Sequence, residues 1–280
     1  MTGSLWRLML RALTSPSGRL GAVIIALLTL FVFVAPWLLP DPSAMPDLMA
    51  GAVPPGAGHP FGTDQLNRDV LSRVVSGGQI SLSVAGLAVL LAVTLGALVG
   101  GLAGFYGGWL DSALMRMVDG ALAIPRLFLL LLLVAVWEQM PLGALVLVLG
   151  ATGWFATSRI VRGEVLRLRE AEFVLAATAL GAGPGRIILR HLLPNVAGPI
   201  LVAATLGVGD VILLEAGLSY LGIGVRPPTP SWGGMILDAR PLLTTAPWTS
   251  IFPGLAIATT VLAVNLLGDA LRGALDPRSA

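Results

Sequence analysis

Two carboxylates, Asp210 and Glu215, sit inside one long apolar run, "LVAATLGVGDVILLEAGLSYLG" (Leu201 to Gly222). An acid within such a run is costly and ordinarily faces a cavity or a partner. Five residues apart on a helix, the two point about 140° from each other, so they do not converge on one ligand. Both are candidates for a polar path through the apolar layer, and Glu215 has a second reading as a brace accepting backbone hydrogen bonds near Gly217 and Gly222. Other chemistry is scarce. The chain has no cysteine, and all seventeen of its basic residues are arginine. Thiolates, disulfides, a Schiff-base lysine and the lysine of a Walker A phosphate loop are thereby excluded. His59 and His191 lie far apart in the chain, and neither a His-Glu-x-x-His nor a Gly-x-Ser-x-Gly pattern occurs. A membrane protease, the enzymatic alternative, has no residues to carry it. Asp238, Asp269 and Asp276 read as capping or interface residues. No catalytic, cofactor-binding or metal site is expected.

The elements that hold these residues are membrane spans. Of 280 residues, 56% are hydrophobic and 11% charged, and the mean hydropathy is +0.89, outside the range of water-soluble domains. A bilayer core needs about 20 apolar helical residues. Six segments qualify, near Leu20 to Leu39, Ile80 to Gly104, Ser112 to Trp137, Leu142 to Ser158, Val196 to Leu221 and Ile251 to Leu271. The first is too long for a signal-peptide core, lacks a small-residue cleavage site and reads as an uncleaved anchor. The third and fourth are divided by a short turn at Gln139 to Pro141. With the N-terminus inside, twelve arginines fall at inner positions and four (Arg68, Arg73, Arg226, Arg240) outside, with Arg126, within the third span, left uncounted, the bias of the positive-inside rule. In this topology the two histidines are on opposite sides. Residues 1–79 then form an anchor span with an outer amphipathic segment, and residues 80–280 a five-span core whose one long inner loop is residues 159–195.

That loop has structure of its own. Phe173, Ala176, Ala177 and Leu180 recur at helical spacing, Gly181 to Gly185 interrupt it, and Ile187, Ile188 and Leu192 resume it before Pro194. Two short helices around a tight turn are predicted. One reading rests them on lipid headgroups, with the arginines on anionic lipid. The other makes a docking knob, in which Ala176, Ala177 and Gly181 permit close backbone approach and the flanking arginines meet acidic groups of a soluble partner. Elsewhere, Gly96, Gly100, Gly104 and Gly108 repeat every four residues, a spacing for close helix packing or a hinge. Asp64 and Arg68, and Asp69 and Arg73, are each four apart, as on a solvated amphipathic helix or a landing surface. "RPPTPSW" (Arg226 to Trp232) is a second candidate surface, stiff and carrying an aromatic.

These stretches resemble a family. The inner loop is similar to that of ATP-binding cassette (ABC) importer permeases, whose motif reads Glu-Ala-Ala, three residues, Gly, nine residues, Ile, one residue, Leu-Pro. Ala176, Ala177, Gly181, Leu193 and Pro194 match, whereas Leu175 stands at the glutamate and His191 at the isoleucine. "HPFGTDQLNRDVLSRVVSGGQISL" (His59 to Leu82), "LLEAGLSYLGIGVRPPTPSWGGMI" (Leu213 to Ile236) and "NLLGDALRGALDP" (Asn265 to Pro277) resemble, in order, segments of the dipeptide, oligopeptide and nickel branch, and of the second permease of its pair. The resemblance implies an all-α, six-span inner-membrane protein of bacteria with both termini cytoplasmic. It also implies a second homologous permease, two cytoplasmic ATPases that bind ATP and magnesium, and an external solute-binding protein. Nucleic acid is not an expected partner. The implied coupling loop comprises Phe173, Leu175, Ala176, Ala177, Leu180, Gly181, Arg186, Ile187 and Ile188, with Asp210 and Glu215 as candidates for the translocation path or its gate. Short peptides are the first expected substrate, nickel or a nickel chelate the second, glutathione or an opine the third. A scaffold that docks a cytoplasmic partner without moving solute is the alternative outside transport.

Overall fold

The computed structural model describes residues 2–39, 41, 50–137 and 140–275. The chain begins with a helix that hydropathy did not announce, α1 (Thr2–Thr14), whose Leu8 and Ala12 are buried against Leu271 and Val202. The first span, α2 (Pro16–Val34), starts at Ser15, which accepts a hydrogen bond from the Gly18 amide at 3.1 Å, with Pro16 at the first helical position. Both features favour a helix start at this point.

The second span is α3 (Val70–Tyr106), capped by Asp69, which accepts from the Ser72 amide at 2.8 Å. It begins at Val70 rather than Ile80 and ends at Gly107, whose φ of 65° is open to glycine at little cost. The third span is broken. It consists of α4 (Gly108–Leu122) and α5 (Arg126–Val134), bent by 85°, where a straight helix over Ser112 to Trp137 was predicted. Pro125 accounts for the break, because it lacks an amide hydrogen and steers Ile124 away from helical geometry. Glu138 and Gln139, in the predicted outer turn, lie outside the described residues.

The fourth span, α6 (Leu142–Arg169), runs past the predicted end at Ser158. After α7 (Glu172–Ala179), the chain turns into α8 (Pro184–Arg186), a π-helical stretch Ile187–Leu192, and α9 (Leu193–Tyr220), which together form one apolar rod from Pro184 to Tyr220. The second short helix predicted for the inner loop is therefore the start of the fifth span. The widened stretch directly precedes Pro194, which cannot donate to the Arg190 carbonyl and whose ring crowds it. A short α10 (Trp232–Asp238) and the sixth span α11 (Trp248–Leu275) complete the chain. Among the described residues there is no β-strand, only an isolated bridge between Thr63 and Asp69.

Helix α3 is the hub, packed along α6 and α9. A central core joins Leu130, Leu145, Leu149, Ile212, Leu218 and Trp232. A second cluster, where the C-terminal end of α6 meets α7 and the start of the fifth span, joins Val161, Val165, Val174, Ile187, Ile188 and Leu192. Large apolar side chains such as Leu27, Leu30, Leu87, Leu90 and Phe128 face outward. Lipid or a partner span is the appropriate cover for such faces.

Candidate functional site

The loop between α6 and α9 presents a surface built on α7. Val174 is only 3% exposed and anchors the helix in the second cluster. Phe173, Leu175, Ala176 and Leu180 point outward, Leu180 at 88% exposure, while Ala177 is half-buried. The helix ends in a Schellman turn, with Ala182 N–H donating to Ala177 O at 3.0 Å and Gly181 N–H to Thr178 O at 2.9 Å. Gly181, at φ +81°, is the left-handed residue this turn requires. Arg186 is exposed beside it. Ile187 and Ile188 are buried and hold the loop against α6, so the face they were expected to share with a partner is turned inward.

The arginines divide in the same way. Arg162 donates to both Asp111 oxygens at 2.5 and 2.6 Å, fastening α6 to α4. Arg159 pairs with Asp119, Arg167 with Glu164, and Arg169 donates to Gly104 O at 3.3 Å. Only Arg186 and Arg190 of the loop's six make no ion pair among the described residues.

Helices α3, α5, α6, α9 and α11 line a half-open cavity of about 400 Å³, with Asp210 exposed on its wall. Arg126, Asp210 and Arg272 are the charged residues on its wall. The break before α5 puts Arg126 at that helix's first position, where it donates from Nη2 to Leu149 O at 2.8 Å and from Nε to Thr152 Oγ1 at 3.4 Å. Asp210 faces the cavity and lies within electrostatic reach of Arg126, without an ion pair. Arg126 was passed over in the sequence, though a basic residue directly after a proline inside an apolar span is a visible signal. Arg272 gave none, since it ends a span among other tail residues.

Glu215 is not part of this cavity. It is 0% exposed and accepts from Ser81 Oγ at 3.0 Å and Ser219 Oγ at 2.7 Å, not from backbone amides. Ser219 Oγ accepts in turn from the Val225 amide at 3.0 Å, and Ser231 Oγ lies 3.4 Å away. Trp232 donates its backbone N–H to Ser81 Oγ at 3.3 Å and its indole N–H to Val74 O at 2.9 Å. The carboxylate thus ties α3 and α9 to the loop that carries α10. Trp232, expected as an exposed aromatic, is 0% exposed, seated in space that Gly78 leaves open.

At the same end of the bundle the acid and arginine pairs are differently wired from the helical pattern. Residues 64–69 form an irregular turn, with Asn67 at φ 57°. Arg68 Nε donates to Asp64 at 2.7 Å, as the spacing suggests, but Arg73 pairs with Asp64 and with Asp238 at 3.0 Å. Asp69 caps α3 and contacts His59 Nδ1 at 2.9 Å. All except Asp238 and His59 are buried. This is an ionic knot between residues 59–73 and α10, not a solvated helix face.

Of the four spaced glycines, three lie together. A Cβ at Gly96 would stand 2.6 Å from Thr157, at Gly100 2.3 Å from Ser158 O and at Gly104 2.9 Å from Arg162 O, all on α6. Gly108 meets nothing within 4 Å and has φ +60°, a turn position.

Residues 92–280 match the family described as binding-protein-dependent transport system inner membrane component. The chain is 40% identical to the oligopeptide transport system permease protein OppC of Bacillus subtilis, over 98% of this chain and 90% of that one. It is 41% identical to the dipeptide transport system permease protein DppC of Alkalihalophilus pseudofirmus (92% and 84%) and 42% identical to the nickel transport system permease protein NikC of Escherichia coli (93% and 94%). With membrane-length helices around a charged cavity and matches over nearly its whole length, the chain belongs to the binding-protein-dependent transport system inner membrane component family, the permeases of ABC importers.

Proposed function

We propose that this chain is one of two paired permeases in an ATP-driven importer of short peptides, with both termini cytoplasmic. The observation that carries the reading is α7: it is pinned to the ends of α6 and α9 by Val174 and presents Phe173, Leu175 and Leu180 to the surrounding medium. A rigid, apolar knob seated on two spans is suited to transmit motion from a soluble partner. In this scheme two ATPase subunits bind ATP and magnesium, close, and carry α7 with them. The spans then rock from inward-facing to outward-facing, an external binding protein delivers solute, and hydrolysis resets the assembly. The names of the peptide permeases among its relatives support the substrate class. Equal likeness to the nickel permease favours nickel or a nickel chelate as the second reading.

The test is uptake of radiolabelled dialanine and of nickel by vesicles carrying the whole complex, wild type against Ala177→Trp. Ala177 is a half-buried residue of α7, so an indole there displaces the knob. Loss of both uptake and substrate-stimulated ATP hydrolysis from an assembled complex is expected. Survival of both would overturn the coupling role, and uptake of nickel without dialanine would select the second reading.

A further inference from the structure

We propose that Arg126 and Asp210 form a binding site inside the permease for a zwitterionic solute, the Arg126 guanidinium taking its carboxylate and the Asp210 carboxylate its ammonium group. The inference deepens the peptide reading above and rests on it.

The argument begins with what each charge lacks. Charges in the apolar layer are costly and are ordinarily paired or set in a wet cavity. Asp210 makes no hydrogen bond or ion pair among the described residues, although Arg126 is near enough for the two charges to interact. Arg126 is held by Nη2 and Nε, and its Nη1 makes no hydrogen bond among the described residues. Its tether is on α6, so it does not swing across to close on Asp210. Gly153 leaves room for it, because a Cβ there would lie 3.0 Å from Nη2. Two opposed charges kept apart on one cavity wall are an unfilled pair of contacts.

The cavity's size and remaining surface agree. About 400 Å³ is at the small end of ligand pockets, which run from about 300 to 1,000 Å³. Between the charges the wall is small or apolar, with Ala92, Ala156, Ala203 and Gly207, a surface that fixes no particular side chain. A bare metal cation would meet two arginines and a single carboxylate, and a dianion would be repelled by Asp210. A molecule bearing one charge of each sign satisfies both. Arg272, at the last turn of α11, is the third charge on the wall and lies toward the inner end, where it offers a second contact to a departing carboxylate. Glu215, fully buried among serines, takes no part.

The experiment uses the complete transporter in vesicles, with radiolabelled dialanine as the probe and binding-protein-stimulated ATP hydrolysis measured in parallel. Asp210→Asn and Arg126→Gln are each expected to lower uptake by at least about tenfold through loss of one charged contact to the solute, while stimulated hydrolysis persists. Asp210→Glu, which keeps the charge, is expected to stay within about twofold of wild type. Wild-type uptake by both neutral variants would overturn the site and leave the peptide reading intact. Equal loss of uptake and stimulated hydrolysis in Asp210→Asn would also overturn it, by assigning the residue to coupling. A wild-type complex that moves nickel and no dialanine would overturn the peptide reading, and the site with it.

Discussion

Gly100 and Glu215 show how single positions constrain this bundle. Between α3 and α6 the backbones approach so closely that a Cβ at Gly100 would lie 2.3 Å from a carbonyl oxygen, which cannot retreat as a flexible side chain would. Gly100→Leu is expected to destabilise the protein by about 1–3 kcal/mol or more, read as a lower unfolding temperature in detergent, while Gly86→Ala, with nothing within 4 Å, leaves it unchanged. Equal temperatures for the two would contradict the packing. Glu215→Ala removes the common acceptor of Ser81 and Ser219 in a site with no access to water. A cost of about 2–4 kcal/mol follows from the stranded hydroxyls and the void. Glu215→Gln keeps one acceptor oxygen and is expected to lose roughly half as much. The spacing of Asp210 and Glu215 in the sequence correctly set them on different faces. It gave no sign of which face held the cavity, because two of the serines around Glu215, Ser81 and Ser231, come from other elements of the chain.

At the scale of elements, hydropathy located the spans and missed what continues them. The rod from Pro184 to Tyr220 and the extension of α6 to Arg169 carry polar residues beyond the apolar window. Their helical hydrogen bonding continues because Val161, Val165, Ile187 and Leu192 still have a core to enter. The ionic knot was misread for the opposite reason. Its four-residue spacing fits a helix, but the left-handed Asn67 and the long-range partner Asp238 decide its form. Removing one member of a buried cluster leaves the others uncompensated, at about 3–5 kcal/mol. Arg73→Gln is therefore expected to raise amide exchange in residues 62–74 and 232–238 together, with little change in α7. Exchange confined to residues 62–74 would show that α10 does not depend on the knot.

For the whole molecule, the directions of the helices divide the chain into two ends that can be tested independently of transport. The α7 knob and the end of α3 at Gly104 lie at one end, joined by α6 and Arg169. Trp232, Arg73 and the start of α3 lie at the other. The arginine bias assigns the first end to the cytoplasm, and the five long apolar helices, together with the bent pair α4–α5 counted as one span, follow one another in the order of the predicted spans. The absence of cysteine from the chain makes this assignment simple to examine. Leu180→Cys places a thiol on the exposed tip of α7, and Thr229→Cys places one on the exposed proline-rich loop before α10. With a membrane-impermeant maleimide, read as a mass shift on this chain, Thr229→Cys is expected to react in right-side-out vesicles and Leu180→Cys only in inverted ones. The reverse pattern would place α7 outside, where no ATPase reaches it, and would remove the coupling role together with the topology. Reaction of both from one side would mean an even number of crossings between them, and so would deny that α8, the π-helical stretch and α9 form a single span.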